Sequence, residues 1–234
     1  MNDDIRNILL GLAASGLSAG AGWFVRTRLW RRQLRRTQAF FGLTSGAECV
    51  LVVNQAPWAG GTGVSRNDTF ALLELAALIR ECGARPEIVV HDTARQGIGV
   101  RTEFCVGGPV SNRRTEAHLR SLLPGVATAD GPDGRLLTVG GETYRMEQGA
   151  AEYVLLARLT GPDGGRPVFL ASGQRSVCNQ AAVRYLARHH ARLARRYRRD
   201  GTFCLLLKVV NSDAYGPDMT ELVADVTAAA ISGR

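Results

Sequence analysis

Two short stretches carry the residue types that bind small anions. The first is Gly107-Gly108-Pro109, which ends an apolar run and is followed by Ser111, Asn112, Arg113 and Arg114. The second is Ala171-Ser172-Gly173-Gln174-Arg175-Ser176. In each, a strand that ends in glycine feeds the start of a helix, which presents backbone N–H groups and the positive end of a helix dipole to a ligand. Ser111, Asn112 and Ser176 add hydrogen-bonding side chains, and the arginines add charge that pairs with phosphate or carboxylate. The loop after Asn54, QAPWAGGTGVSRN, is long for a strand-to-helix connection and contains Trp58. If the strands before Asn54 and Gly107 flank the point where strand order reverses, then Asn54, Trp58, Gly107, Gly108, Ser111, Asn112, Arg113, Gly173 and Ser176 converge on one crevice. A nucleotide or another phosphorylated small molecule is the expected ligand.

Catalytic patterns are weaker. The sequence has no G-x-S-x-G elbow, no Walker A lysine and no dinucleotide fingerprint. Asp92, Asp68 and Glu142 are candidate bases without a partner fixed by spacing. Cys178 falls in a first helical turn, where a helix dipole lowers a thiol pKa, although such a cysteine is more often a packed small residue. Four histidines and five scattered cysteines form no zinc spacing, so neither a metal centre nor a cofactor is expected, and a disulfide framework is excluded.

The elements that would position these residues follow the hydrophobic patterning. Buried strands are expected at Glu48–Asn54, Arg85–Asp92, Glu103–Val106 and Thr202–Val210. Helices are expected from Ser65 or Asn67 to Cys82, from Ser111 or Asn112 to Leu123, from Ser176 to Arg199, and from Met219 to Ile231. Between them, Leu136–Val139 with Thr143–Met146 and Tyr153–Leu159 with Pro167–Ala171 read as two hairpins. The first strand, helix and second strand imply a right-handed parallel crossover. The fold class is α/β: a Rossmann-like three-layer sandwich, mainly parallel, with antiparallel hairpins and one preceding transmembrane helix.

That helix is expected because 19 uncharged residues separate Arg6 from Arg26. As a helix they span about 28 Å, close to a hydrocarbon core. Trp23 suits an interface, and Arg26, Arg28, Arg31, Arg32, Arg35 and Arg36 follow at once, which places the N-terminus outside and the domain in the cytoplasm. A cleaved signal peptide, hence a secreted protein, is the rival reading through Ala19-Gly20-Ala21, and a non-spanning amphipathic helix is another. The six arginines are expected to meet anionic lipids. Gly16 and Gly20 form a GxxxG pair suited to a homodimer. The organisation is an anchor at 1–25, a basic juxtamembrane segment at 26–40 and one α/β domain at 41–234.

Of the 234 residues, 29 are basic, all arginine except Lys208. Thirteen lie in the juxtamembrane cluster and on the helix at 184–199; without them 16 basic residues face 21 acidic ones, a net of −5. A nucleic-acid-binding body would be basic throughout, so nucleic acid is not expected.

The anchor, the arginine-rich stop and GGPxSN before a helix together resemble uncharacterised bacterial membrane or secreted proteins. Over Glu48–Leu122 the chain is also similar to nucleoside-processing and nucleotide-sensing Rossmann-like families. The resemblance implies nucleotide or nucleoside chemistry at the Gly107 turn and assigns no catalytic residue. Three functions stay open: a ligand-binding sensor or accessory protein, a nucleoside or glycosidic-bond hydrolase or transferase, and a membrane scaffold without a ligand.

Overall fold

The computed structural model describes residues 2–55, 63–132, 134–161, 164–197 and 201–232, and the side chains of 1–6, 8–19 and 21 lie outside that description. The main sheet contains β1 (Glu48–Val53), β2 (Arg85–Val90), β3 (Thr102–Val106), β7 (Ala151–Gly161), β8 (Gly164–Gly173), β9 (Phe203–Val210) and β10 (Thr220–Asp225). Their order is β10-β9-β7-β8-β3-β1-β2. The β2-β1-β3-β8 half is parallel, and the β8-β7-β9-β10 half is antiparallel. Strands such as β3, TEFCV, are buried along their whole length because both faces of the sheet are covered.

Alternation along each strand feeds two cores. Leu51, Val53, Phe104, Val106, Phe169 and Leu205 point to the face carrying α2 (Arg66–Glu81) and α4 (Ser176–Arg196). Val50, Val52, Cys105, Leu170 and Leu206 point to the other face. That face is covered by α3 (Arg113–Leu122), α6 (Thr227–Ser232) and a three-stranded antiparallel sheet of β4 (Val126–Gly131), β5 (Gly134–Val139) and β6 (Glu142–Arg145). The three-layer α/β expectation therefore holds in its coarse form, with a small sheet forming part of one outer layer.

The chain leaves β1 through α2 to β2 on one side, and β3 lies on the other side of β1. The strand order reverses between β1 and β3, where the sequence placed it. The second expected hairpin is part of the main sheet, with β8 joining its parallel and antiparallel halves. The expected closing helix Met219–Ile231 is edge strand β10 followed by the short α6. Leu222 and Val223 lie on that edge strand and are exposed.

The N-terminal region differs most from expectation. Residues 2–41 form one continuous helix, α1 (Asn2–Phe41), which includes the basic segment, and residues 42–47 connect it to β1. Its last turn is rooted in the first core: Phe40 and Phe41 are fully buried among Phe104, Phe169 and Phe203. Thr102 Oγ1 donates to the Phe41 and Gly42 carbonyls, and Arg158 Nε donates to the Phe40 carbonyl. Thr102 opens β3, so this root sits at the amino ends of the parallel strands. The spanning helix expected at 1–25 is not found: among the described residues no helix is long and apolar enough to cross a membrane. Most side chains of the expected span, and Gly16 of the expected dimer motif, lie outside the described residues.

Candidate functional site

At the carboxyl ends of β1, β3 and β8, opposite the root of α1, a crevice of about 370 Å³ opens at the switch point. One wall is built around Asp68. Ser65 caps α2 by accepting from the Asp68 amide (3.2 Å), and its hydroxyl donates to Asp68 Oδ2 (2.7 Å). The serine thus caps the helix by accepting from one N–H while its hydroxyl donates to the carboxylate three residues on. Asn54, directly after β1, donates from Nδ2 to the same oxygen (2.9 Å), and Asn179 of α4 donates to Asp68 Oδ1 (2.8 Å). Asn179 Oδ1 in turn accepts from the Gly173 amide at the end of β8 (2.8 Å). A buried carboxylate thus fastens together β1, α2, α4 and β8. Of the roughly four lone-pair positions on a carboxylate, three are taken.

The strand ends approach closely because glycine allows it. Gly107 has φ +112°, and a Cβ there would lie 2.8 Å from Asn54 Cβ. A Cβ on Gly108 would lie 3.2 Å from the Gly173 carbonyl oxygen. Asn54 Oδ1 is buried and has no hydrogen-bond partner among the described residues.

The facing wall carries two guanidiniums, each near carboxylates: Arg175 pairs with buried Glu152 and lies 3.9 Å from Asp213, and Arg135 Nε lies 3.7 Å from Asp130. Arg175 occupies the N-cap of α4, which no side chain caps. The N-terminus of a 21-residue helix therefore opens onto the crevice at Ser176, flanked by Arg175 and by Arg135 of β5. Gln174 holds this wall in place: it donates from Nε2 to the Arg135 and Tyr144 carbonyls and accepts from the Tyr153 amide, tying the small sheet to the large one. Arg175 Nη1 also contacts buried Glu152, which accepts from the Cys178 thiol. Burial and the Glu152 carboxylate push that thiol well above its ordinary value, opposite to the effect expected from the helix dipole, so Cys178 is a packed residue and not a nucleophile.

Of the residues singled out from the sequence, Asn54, Gly108, Ser111, Gly173 and Ser176 line the crevice, and Gly107 supports it. Trp58 lies outside the described residues. Asn112 is fully buried as the cap of α3, accepting from the Arg114 and Thr115 amides and donating to the Val106 carbonyl. Arg113 is exposed and does not line the crevice. Arg114 points the other way, forming a two-pronged pair with buried Glu103 at 2.8 Å from both Nε and Nη2. His118 Nε2 lies 2.8 Å from the same carboxylate, and the Cys105 thiol donates to it. Burial would raise Glu103, but the hydrogen bonds from Arg114 and His118 outweigh it and hold the carboxyl well below the usual range. Glu103, Cys105 and His118 bring ligand-type atoms within 4.8 Å of one another. However, the guanidinium already neutralises the carboxylate, and burial keeps the Cys105 thiol protonated. The cluster is a brace between β3 and α3.

Sequence reading passed over Asn179 and Arg135, took Ser65 only as a helix cap and Gln174 and Arg175 only as part of the second turn, and named Asp68 only as an unpaired base. The Ser-x-x-Asp spacing and the polar Asn179-Gln180 pair within the apolar start of α4 were the available signals. Asp92 is exposed after β2, and Glu142 accepts from the Tyr144 hydroxyl on β6, away from the crevice. Comparison with protein-family models, curated proteins and solved structures finds no match for the chain.

Proposed function

We propose that the protein binds a nucleotide or another phosphorylated small ligand in this crevice, as a sensor or accessory protein held at an anionic membrane by α1. The observation carrying the first half is the uncapped start of α4 between Arg135 and Arg175, facing a wall of hydrogen-bonding groups at the switch point. Phosphate belongs on the α4 side, where N–H groups and guanidiniums converge. Hydroxyl and base groups of the ligand belong on the Ser65, Ser111 and Asp68 side. The test is a thermal-shift screen of the full chain against nucleotides and sugar phosphates. A stabilising compound is expected to lose at least tenfold in affinity in Arg135→Gln, about 1.4 kcal/mol and within the range of one charged hydrogen bond. If no phosphorylated compound shifts the transition, the reading fails.

The membrane half rests on the exposed arm of α1. Trp23, Phe24, Val25, Leu29 and Trp30 are each more than half exposed, interleaved with the six arginines of 26–36. Aromatic and cationic residues in this mixture suit the headgroup region of an anionic leaflet. The proposal includes entry of residues 7–25 into the bilayer with the domain in the cytoplasm. A periplasmic reporter fused after Arg234 that proved active would overturn that placement.

A hydrolase or transferase of the nucleoside or glycosidic class is the second reading, favoured by Asp68, a carboxylate lining the crevice with one acceptor position left. Turnover of the stabilising compound, abolished in Asp68→Asn while binding persists, would establish it.

A further inference from the structure

The geometry points to a second binding site, a cleft between α1 and α4 that takes the headgroup of a single anionic phospholipid. The cleft encloses about 710 Å³ at the carboxyl-terminal half of α4. Its lining includes Arg32 and Arg36 from α1, Arg195 from α4, and the apolar surfaces of Leu29, Ala191 and Ala194.

Arg195 differs from Arg184, Arg188 and Arg196 of the same helix, and shares with Arg192 the lack of a carboxylate partner among the described residues. Arg184 pairs with Glu74 and Asp218, Arg188 with Asp218, and Arg196 with Asp225. Those ion pairs fasten α4 to α2 and to the β9–β10 region. Among the described residues, no carboxylate lies within ion-pair distance of Arg32, Arg36 or Arg195. Two helices thus bring three unneutralised positive charges to one concavity, an arrangement that repels itself unless an anion enters.

The occupant is a lipid because of what surrounds the charge. Leu29 is 60% exposed at the cleft, and Trp30 beside it in sequence and Trp23 and Phe24 further along α1 are as open. A phosphate accounts for the arginines only; a phospholipid in a bilayer covers the aromatic arm as well, with its glycerol carbons on Leu29 and Ala194. This inference rests on the membrane reading of α1 but adds a site on the folded domain, which a freely solvated arm does not have.

The test is co-sedimentation of the full chain with phosphatidylcholine vesicles, with and without phosphatidylglycerol. Arg195→Gln and Arg32→Gln are each expected to weaken binding to the anionic vesicles about fivefold, the loss of one juxtamembrane charge. Arg192→Gln, exposed on α4 outside the cleft, is expected to change it less than twofold. Inorganic phosphate at the concentration of a competing short-chain phosphatidylglycerol should fail to displace the protein. Equal losses in Arg192→Gln and Arg195→Gln, no loss in Arg195→Gln, or equal competition by phosphate would overturn the site while leaving the membrane reading intact. Failure of the unmodified chain to bind anionic vesicles would remove both.

Discussion

Replacing Asp68 by alanine tests whether the crevice is assembled around that carboxylate. The substitution strands three donors on three elements: Asn54 Nδ2 after β1, Ser65 Oγ at the α2 cap and Asn179 Nδ2 on α4. Hydrogen bonds to a charged acceptor contribute roughly 1.5–3 kcal/mol each, so the plain sum is about 4.5–9 kcal/mol. That sum is too large, because the space vacated borders the crevice and water can enter to satisfy part of the donors. Removing a buried carboxylate also removes its desolvation cost. A net loss of about 2–4 kcal/mol is expected. In urea denaturation this appears as a lower midpoint at unchanged slope. In a thermal scan it appears as a fall of roughly 4–16 °C for a chain of this size. Asp92→Ala, on an exposed carboxylate, serves as the control and should stay within about 0.5 kcal/mol of the parent. An Asp68→Ala midpoint indistinguishable from that control would refute the carboxylate as the clamp of the site, and with it the placement of ligand groups on that wall.

Glu103→Gln leaves Arg114 buried without its counter-charge and is expected to destabilise by about 3–5 kcal/mol; Glu103→Leu combined with Arg114→Met should recover most of that, as measured by denaturant midpoints. Because the folded Glu103 carboxyl is held below its ordinary value, its stabilising contribution is present at neutral pH and through mild acid, and is lost only as pH falls below the usual carboxylate range. The cysteines act in the opposite sense. Burial raises Cys49 to about 12 and Cys82 to about 11 from an ordinary 9.0, so the unfolded chain releases these protons first, and stability should decline as pH rises from about 9 toward 12. A flat denaturant midpoint over that window would contradict their burial. Gly107→Ala places a Cβ 2.8 Å from Asn54 Cβ at a positive φ, and should lower stability by about 1–3 kcal/mol and weaken any crevice ligand together with it.

What could be read from the sequence was set by period and punctuation. The runs ECVLVV and FCLLLKVV are too apolar to be anything but strands covered on both faces, and the glycine stops after β3 and β8 marked the ends that face the crevice. Partners distant in sequence were not legible. Nothing in the neighbourhood of Arg114 announces that it reverses toward Glu103, since Arg113 and Arg114 are adjacent and only the helix phase separates them. Asp68 looked solitary because two of its three partners come from 14 and 111 residues away, and only Ser65 is local. The length of the N-terminal helix was not legible either: residues 1–25 and 26–40 differ in charge, yet arginine is a good helix former, and α1 runs through the basic stretch to Phe41.

The positions of the two ends of α4 join these observations into one mechanical arrangement. Ser176 starts the helix at the crevice, and Arg195, about 28 Å further along at 1.5 Å per residue, ends it beside α1. The root of α1 lies at the amino ends of the parallel strands, so a membrane holding the arm faces the side of the sheet opposite the crevice. The arm presents six arginines between 26 and 36, whereas residues 41–234 carry a net of +3, with seven of their positive charges at 184–199. Under the proposed attachment, an anionic leaflet would hold the arm, and the crevice mouth would face bulk solution, where a phosphorylated solute would reach the α4 N-terminus without crossing the headgroup layer.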